Sequence, residues 1–155
     1  IGVLKVKPIS FFSHRHAAYC AGLGNFGLNN MLLTPQYGPR VRFASILTTA
    51  GLPADPVLEE QLCIQCRRCV RVCPVAAIPG GGYPQESTDK VACATRSEEL
   101  HQRFLSPCGC CIKVCPVGKD REQYGRDDMR MYDEESPVSD PYRRVRNHVR
   151  SYGSR

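Results

Sequence analysis

The stretch "CIQCRRCVRVCP", residues 63 to 74, places Cys63, Cys66, Cys69 and Cys73 at intervals of three, three and four and follows them with Pro74. Farther on, "CGCCIKVCPVG", residues 108 to 118, repeats the ending of that comb but not its beginning. No other feature restricts the fold so strongly, because closely spaced thiols must either bridge one another or share a metal. A secreted disulfide scaffold spreads its cysteines between loops and is usually shorter than 155 residues. Here near neighbours could hardly bridge without strain. Most of the ten cysteines therefore read as metal ligands of a reducing compartment.

The first comb has the bacterial ferredoxin spacing C-x2-C-x2-C-x3-C-P. On a [4Fe–4S] cubane, three irons of one face take thiolates from a tight loop, and x2 spacings wrap the backbone round the cluster. Backbone N–H groups then point at the sulfurs and soften their charge. Zinc is the alternative, but zinc knuckles stand well apart rather than in one comb. In two-cluster proteins the fourth cysteine of a comb ligates the other cluster. Cys63, Cys66, Cys69 and Cys115 then form the first ligand set.

Cys73, Cys108 and Cys111 begin the second set, which lacks a thiolate because Leu105 stands where the first tooth would fall. Cys93, Cys110 and Cys20 compete for the place. Cys110 adjoins Cys111 and should turn outward when Cys108 and Cys111 turn inward. Cys20 lies in an earlier segment. Cys93 sits in "DKVACATRSEEL", an amphipathic stretch that Asp89 can cap, and is the expected fourth ligand. Cys110 and Cys20 would then be small buried thiols.

Ahead of the comb, Ser13 is placed to cap a helix through "HRHAAYCAG", which Gly22 and Gly24 end. "MLLT" and "VRFASILTT" read as strands joined by the turn "PQYG", and "GLPADP" marks a boundary. "GLGNFG" follows a helix rather than a strand, which excludes a dinucleotide loop. His14 and His16 are two apart and make a poor metal pair. Arg40 and Arg42 read as exposed strand-edge charges. The expected organisation is an α+β portion over 1–58, a cluster module over 59–122 and an extension over 123–155.

The charge of +6 concentrates in "PYRRVRNHVRSYGSR", with five arginines and no acid. Tyr142, Val145, Val149 and Tyr152 recur at helical spacing there, so a solvated helix face is preferred to a nucleic-acid contact. No apolar run approaches the roughly 18 residues of a membrane span, and no leader pattern opens the chain. A cytoplasmic protein without a membrane partner is expected. Ile1 in place of methionine points to a fragment or a processed chain.

Taken together, "HAAYCAGLGNFGLNNMLLTPQYGPRVRFASILTTAGLPADP", the full comb, "DKVACATR" and "CGCCIKVCPVGKDR" resemble the double-cluster iron–sulfur proteins related to epoxyqueuosine reductase. Cobalamin-dependent reductive dehalogenases are more distant relatives. The resemblance covers roughly residues 14 to 124. It implies a partial nitroreductase-like α+β portion, most of it ahead of Ile1, followed by a two-cluster bacterial-ferredoxin-like module. It also implies two [4Fe–4S] clusters that pass electrons to a bound acceptor, cobalamin in the characterised members, and a cysteine ligand ahead of the second comb, in agreement with Cys93.

The departures from the family are specific. No carboxylate lies between Ile1 and Cys20, whereas the reductases carry a catalytic aspartate near the position of Pro8. Asn25 and Leu28 replace their tryptophan and lysine. Val117 and Gly118 stand where tryptophan and asparagine are usual, and the tRNA-binding repeats are absent. The cluster sites carry over, and epoxyqueuosine as substrate does not. An electron-relaying oxidoreductase module is the leading reading, and a ferredoxin-type carrier the alternative. A redox donor of the ferredoxin or flavodoxin class is the expected partner; Arg67, Arg68 and Arg71, between the ligands, would either raise the cluster potential or form a docking face for such an acidic donor.

Overall fold

The computed structural model describes residues 10–102 and 108–129. Leu105 and the arginine-rich tail lie outside the described residues, as does Pro8. Helix α1 (His14–Cys20) begins where the side chain of Ser13 accepts the His16 N–H. It stops before Gly22, whose φ of +68° suits a residue without Cβ. Two short strands, β1 (Asn25–Phe26) and β2 (Leu32–Leu33), pair antiparallel with Phe26 opposite Leu32. Their contact is close because Gly24 lies where any Cβ would stand 1.8 Å from the Leu33 carbonyl oxygen.

Four helices follow: α2 (Arg68–Val72), α3 (Lys90–His101), α4 (Cys110–Lys113) and α5 (Asp120–Gln123). Asp89 caps α3 by accepting the N–H groups of Val91 and Ala92 at 3.0 Å, as its place before an apolar-polar run predicts. Helices α2 and α4 pack against each other. The core is small: Ala18, Leu32, Leu33, Ala77, Ile78 and Val114 are its buried apolar residues. No described helix is long and apolar enough to cross a membrane.

The segment "VRFASILTT" is not a strand. Residues 41–49 run without regular structure, and Ile46 and Leu47 are each 91% exposed. A strand exists only when another strand satisfies its backbone groups, and among the described residues none lies beside this one. Composition carried the strand expectation, and pairing decided against it. Arg40, just ahead of the segment, is likewise no surface charge: its side chain is 19% exposed and ion-paired to Asp120.

Candidate metal centre

The two combs fold as copies of one turn. After Cys66, Arg67 adopts φ +57°, ψ +11° and opens α2. After Cys108, Gly109 adopts φ +62°, ψ +5° and opens α4. This left-handed residue reverses the chain between two ligand positions, a role that glycine fills without strain and arginine fills at a cost of about 1–2 kcal/mol. Cys69 and Cys111 then lie on the two helices, and Cys73 ends α2. The match in backbone form pairs Cys66 with Cys108, Cys69 with Cys111 and Cys73 with Cys115.

Cys63, Cys66, Cys69 and Cys115 line one cavity, closed on its other side by Gly27, Leu28 and Leu33. Burial pushes the Cys69 thiol up to about 11, and the neighbouring charges of Cys115, Cys66 and Cys63 push the same way. The Cys115 thiol is also raised, chiefly by burial, with Cys66 and Cys63 contributing. Two N–H···S contacts oppose the shift, from Val70 to Cys69 and from Val117 to Cys115. These four thiols share one electrostatic site.

A second group surrounds Cys111. Burial pushes this thiol up to about 12, and Cys93, Cys69, Cys108 and Cys73 all add to the rise. The Cys93 thiol is raised by burial first, then by Cys108 and Cys73, while Arg15 lowers it. The sulfur of Cys73 accepts the Ala77 N–H at 3.2 Å. Cys69 acts on Cys111, so the two groups adjoin across the α2–α4 contact. Burial and neighbouring thiols raise Cys69, Cys93, Cys111 and Cys115, and a coordinated metal deprotonates a thiol outright. Among the described residues no three His, Cys, Asp or Glu side chains close tightly enough to hold a single metal ion.

Cys20 and Cys110 are placed otherwise than expected. Cys20 is exposed on α1 rather than buried. Cys110 is half-buried, and its sulfur does not turn outward but lies 3.5 Å from that of Cys108. His14 and His16 are exposed and form no metal pair. His16 Nδ1 meets Ser13 Oγ at 2.8 Å and its Nε2 meets Tyr83 Oη at 2.8 Å, while His14 Nδ1 meets Ser45 Oγ at 2.9 Å.

Sequence reasoning missed the residues that hold the combs in place. The loop "GNFGLNN" is their frame, through three buried asparagines. Asn25, 2% exposed, donates to the Glu60 carbonyl and accepts the Leu62 N–H at 3.2 Å, which fixes the chain entering Cys63. Asn29 donates to the Cys111 carbonyl at 3.3 Å. Asn30 accepts the Thr88 N–H and so secures the start of the helix that carries Cys93. Three asparagines within six residues, in a segment with few charges, were the available signal.

The end of the second comb has its own clamp. Arg40 donates to both carboxylate oxygens of Asp120 at 2.6 Å, to the Cys115 carbonyl at 2.9 Å and to the Val117 carbonyl at 2.5 Å. Arg121, 3% exposed, donates to the same Cys115 carbonyl at 3.0 Å and to that of Lys113. The turn over 34–38 lies directly on this segment: Lys119 and Asp120 donate their N–H groups to Pro35 and Gln36. Gly38 permits the approach, since a Cβ there would stand 1.9 Å from the Val117 oxygen. The residues ahead of the comb are thus part of the site's frame.

Comparison with known proteins agrees with this geometry. Residues 62–119 match the 4Fe-4S dicluster domain family. The epoxyqueuosine reductase of Bacillus anthracis is 29% identical over 125 residues, covering 76% of this chain and 32% of the relative. That of Synechococcus sp. (strain RCC307) is 36% identical over 114 residues, covering 69% and 35%. The tetrachloroethene reductive dehalogenase of Dehalobacter restrictus is 31% identical over 115 residues, covering 64% and 21%. No solved structure gives a significant match. The chain spans about a third of the length of the reductases it matches. Its comb thus lies within the residues that match the 4Fe-4S dicluster domain family, and the chain is an iron–sulfur protein similar to the epoxyqueuosine reductases.

Proposed function

We propose that this chain is the electron-relaying part of an oxidoreductase and holds two [4Fe–4S] clusters. Cys63, Cys66, Cys69 and Cys115 hold the first, and Cys73, Cys93, Cys108 and Cys111 hold the second. The observation that carries the reading is the sorting of these eight thiols into two adjoining groups, the first around a single cavity. Each thiolate of a cubane stands on its own iron, so the ligands lie farther apart than those of one ion. Bound clusters supply one-electron transfer. The chain's part is to direct N–H groups at sulfurs such as those of Cys69, Cys73 and Cys115 and to hold the two groups side by side, with seven of the eight thiols half-buried and Cys93 exposed. With every iron on a thiolate, no open site remains for Lewis-acid work on a substrate.

The acceptor belongs to the larger protein of which the relatives are examples, and cobalamin is the class that the family resemblance implies. A second cavity, lined by His14, Arg15, Met31, Pro39, Arg42 and Phe43 among others, has a volume of about 370 Å³. That suits a small ligand rather than a whole corrin. A partial nitroreductase-like portion ahead of the combs fits the resemblance and the bare, unpaired 41–49 segment. The electron donor is an acidic protein of the ferredoxin or flavodoxin class, met by Arg67, Arg68 and Arg71, of which Arg67 and Arg71 are exposed. Ten cysteines, eight of them assigned here to clusters, accord with a reducing cytoplasm.

Anaerobic reconstitution tests the reading. The wild-type chain should take up about eight irons, the sum of two four-iron clusters, with the visible absorption of iron–sulfur proteins. Cys93→Ser should lose close to half of that iron, whereas Cys20→Ser should lose none. Uptake of only about four irons by the wild type, or full uptake by Cys93→Ser, would overturn the ligand sets.

A further inference from the structure

We infer that Cys108 and Cys110 form a redox-active dithiol that an excess of a low-molecular-weight disulfide closes to a disulfide when the second cluster is absent, and that this disulfide and the cluster exclude each other. The inference rests on the proposed role of Cys108 as a ligand. Cys110 belongs to neither ligand set, yet its sulfur lies 3.5 Å from that of Cys108, in hydrogen-bond contact. A disulfide needs the two sulfurs at about 2.05 Å, so they must close by roughly 1.5 Å. Gly109 lies between them with no side chain and a φ of +62°, in the part of the chain that can adjust most freely.

Contacts within the chain hold the pair together. Helix α4 starts at Cys110, and the N–H groups of Ile112 and Lys113 both bond the Gly109 carbonyl. Asn29 holds the next residue through the Cys111 carbonyl. The first comb cannot do the same, because its matching position is Arg68. The dithiol is therefore particular to the second site.

The reaction partner is a low-molecular-weight disulfide such as glutathione disulfide. One protein thiolate attacks a glutathione sulfur, breaks the glutathione S–S bond and releases one glutathione. The other protein thiol then attacks the mixed disulfide and releases the second glutathione. One electron pair passes from the two cysteine sulfurs to the glutathione pair, and the two protons lost by the cysteines end on the glutathione thiols. A bridge between residues two apart is strained, and strained disulfides are the readily reduced ones. The closure is thus reversible by thiols, and a reductant must open it before Cys108 can accept iron.

The test uses the full chain, stripped of iron with a chelator, exposed anaerobically to glutathione disulfide, and digested with trypsin for mass analysis. The peptide "FLSPCGCCIK", residues 104 to 113, should lose two hydrogens. Cys111→Ser should still lose them, and Cys110→Ser should not. The iron-loaded chain should resist under the same exposure. Absence of the bridge from the stripped wild type, or its persistence in Cys110→Ser, overturns the inference. Equal oxidation of stripped and loaded chains would leave the dithiol standing but remove Cys108 from the second ligand set, so the two failures are distinct.

Discussion

Replacing Arg40 by methionine should loosen the Cys115 end of the site far more than a surface substitution would. The guanidinium grips both oxygens of Asp120 at 2.6 Å, with the two side chains 19% and 11% exposed. Methionine keeps most of the volume but leaves a buried carboxylate without its main partner. Breaking a buried pair in this way costs about 3–5 kcal/mol. Arg121 still acts on Asp120, which argues for the lower end, about 3 kcal/mol. At about 1.4 kcal/mol per decade, that is roughly a hundredfold rise in the fraction of molecules whose 115–121 segment is open. If opening precedes chelation and recloses quickly, the bleaching of the visible absorbance by an iron chelator follows that fraction. Anaerobic bleaching of Arg40→Met should thus run about 100-fold faster than wild type. The double variant Arg40→Met/Asp120→Leu should recover part of the loss, because it leaves no orphaned charge. A single-variant rate within about threefold of wild type, less than one kcal/mol, would refute the role given to the clamp.

Acid should weaken the same clamp in a defined direction. The hydrogen bonds from Arg40 hold the Asp120 carboxyl below its ordinary value, against the opposing effect of burial. A depressed folded value contributes stability that is present above the unfolded value, about 3.9, and lost as pH falls through the folded one. The ratio of bleaching rates of Asp120→Asn and wild type should therefore be largest near neutral pH and approach one in strong acid; a ratio independent of pH would contradict this. Gly24→Ala should lower the thermal midpoint sharply, because its methyl would meet the Leu33 carbonyl oxygen at 1.8 Å, and an unchanged midpoint would show that β1 and β2 need not stay in register. Charge reversal at Arg67 and Arg68 should slow reduction by an acidic donor at low salt without altering iron content, since screening grows with ionic strength. A reduction rate indifferent to salt would reassign these arginines to plain surface.

The local chemistry of the site was legible in the linear sequence because iron–sulfur ligation is written in short spacings. The comb, the following proline and the caps at Ser13 and Asp89 all depend on residues a few positions apart. Such features need no knowledge of what the chain packs against. The 41–49 segment failed for the opposite reason: apolar and β-branched residues permit a strand, but only a partner strand makes one. The same limit hid Asn25, Asn29 and Asn30, whose long-range hydrogen-bond partners lie 35 to 82 residues away, and it made Arg40 look like a surface charge when Asp120 is 80 residues distant. It also concealed the turn of Cys110 toward Cys108, since spacing alone does not say which way a side chain points. What the sequence determined by itself was the spacing of the thiols, which is that of a 4Fe-4S comb. Tertiary structure decided how those thiols are grouped, shielded and clamped, because burial and long-range hydrogen bonds exist only once distant segments meet.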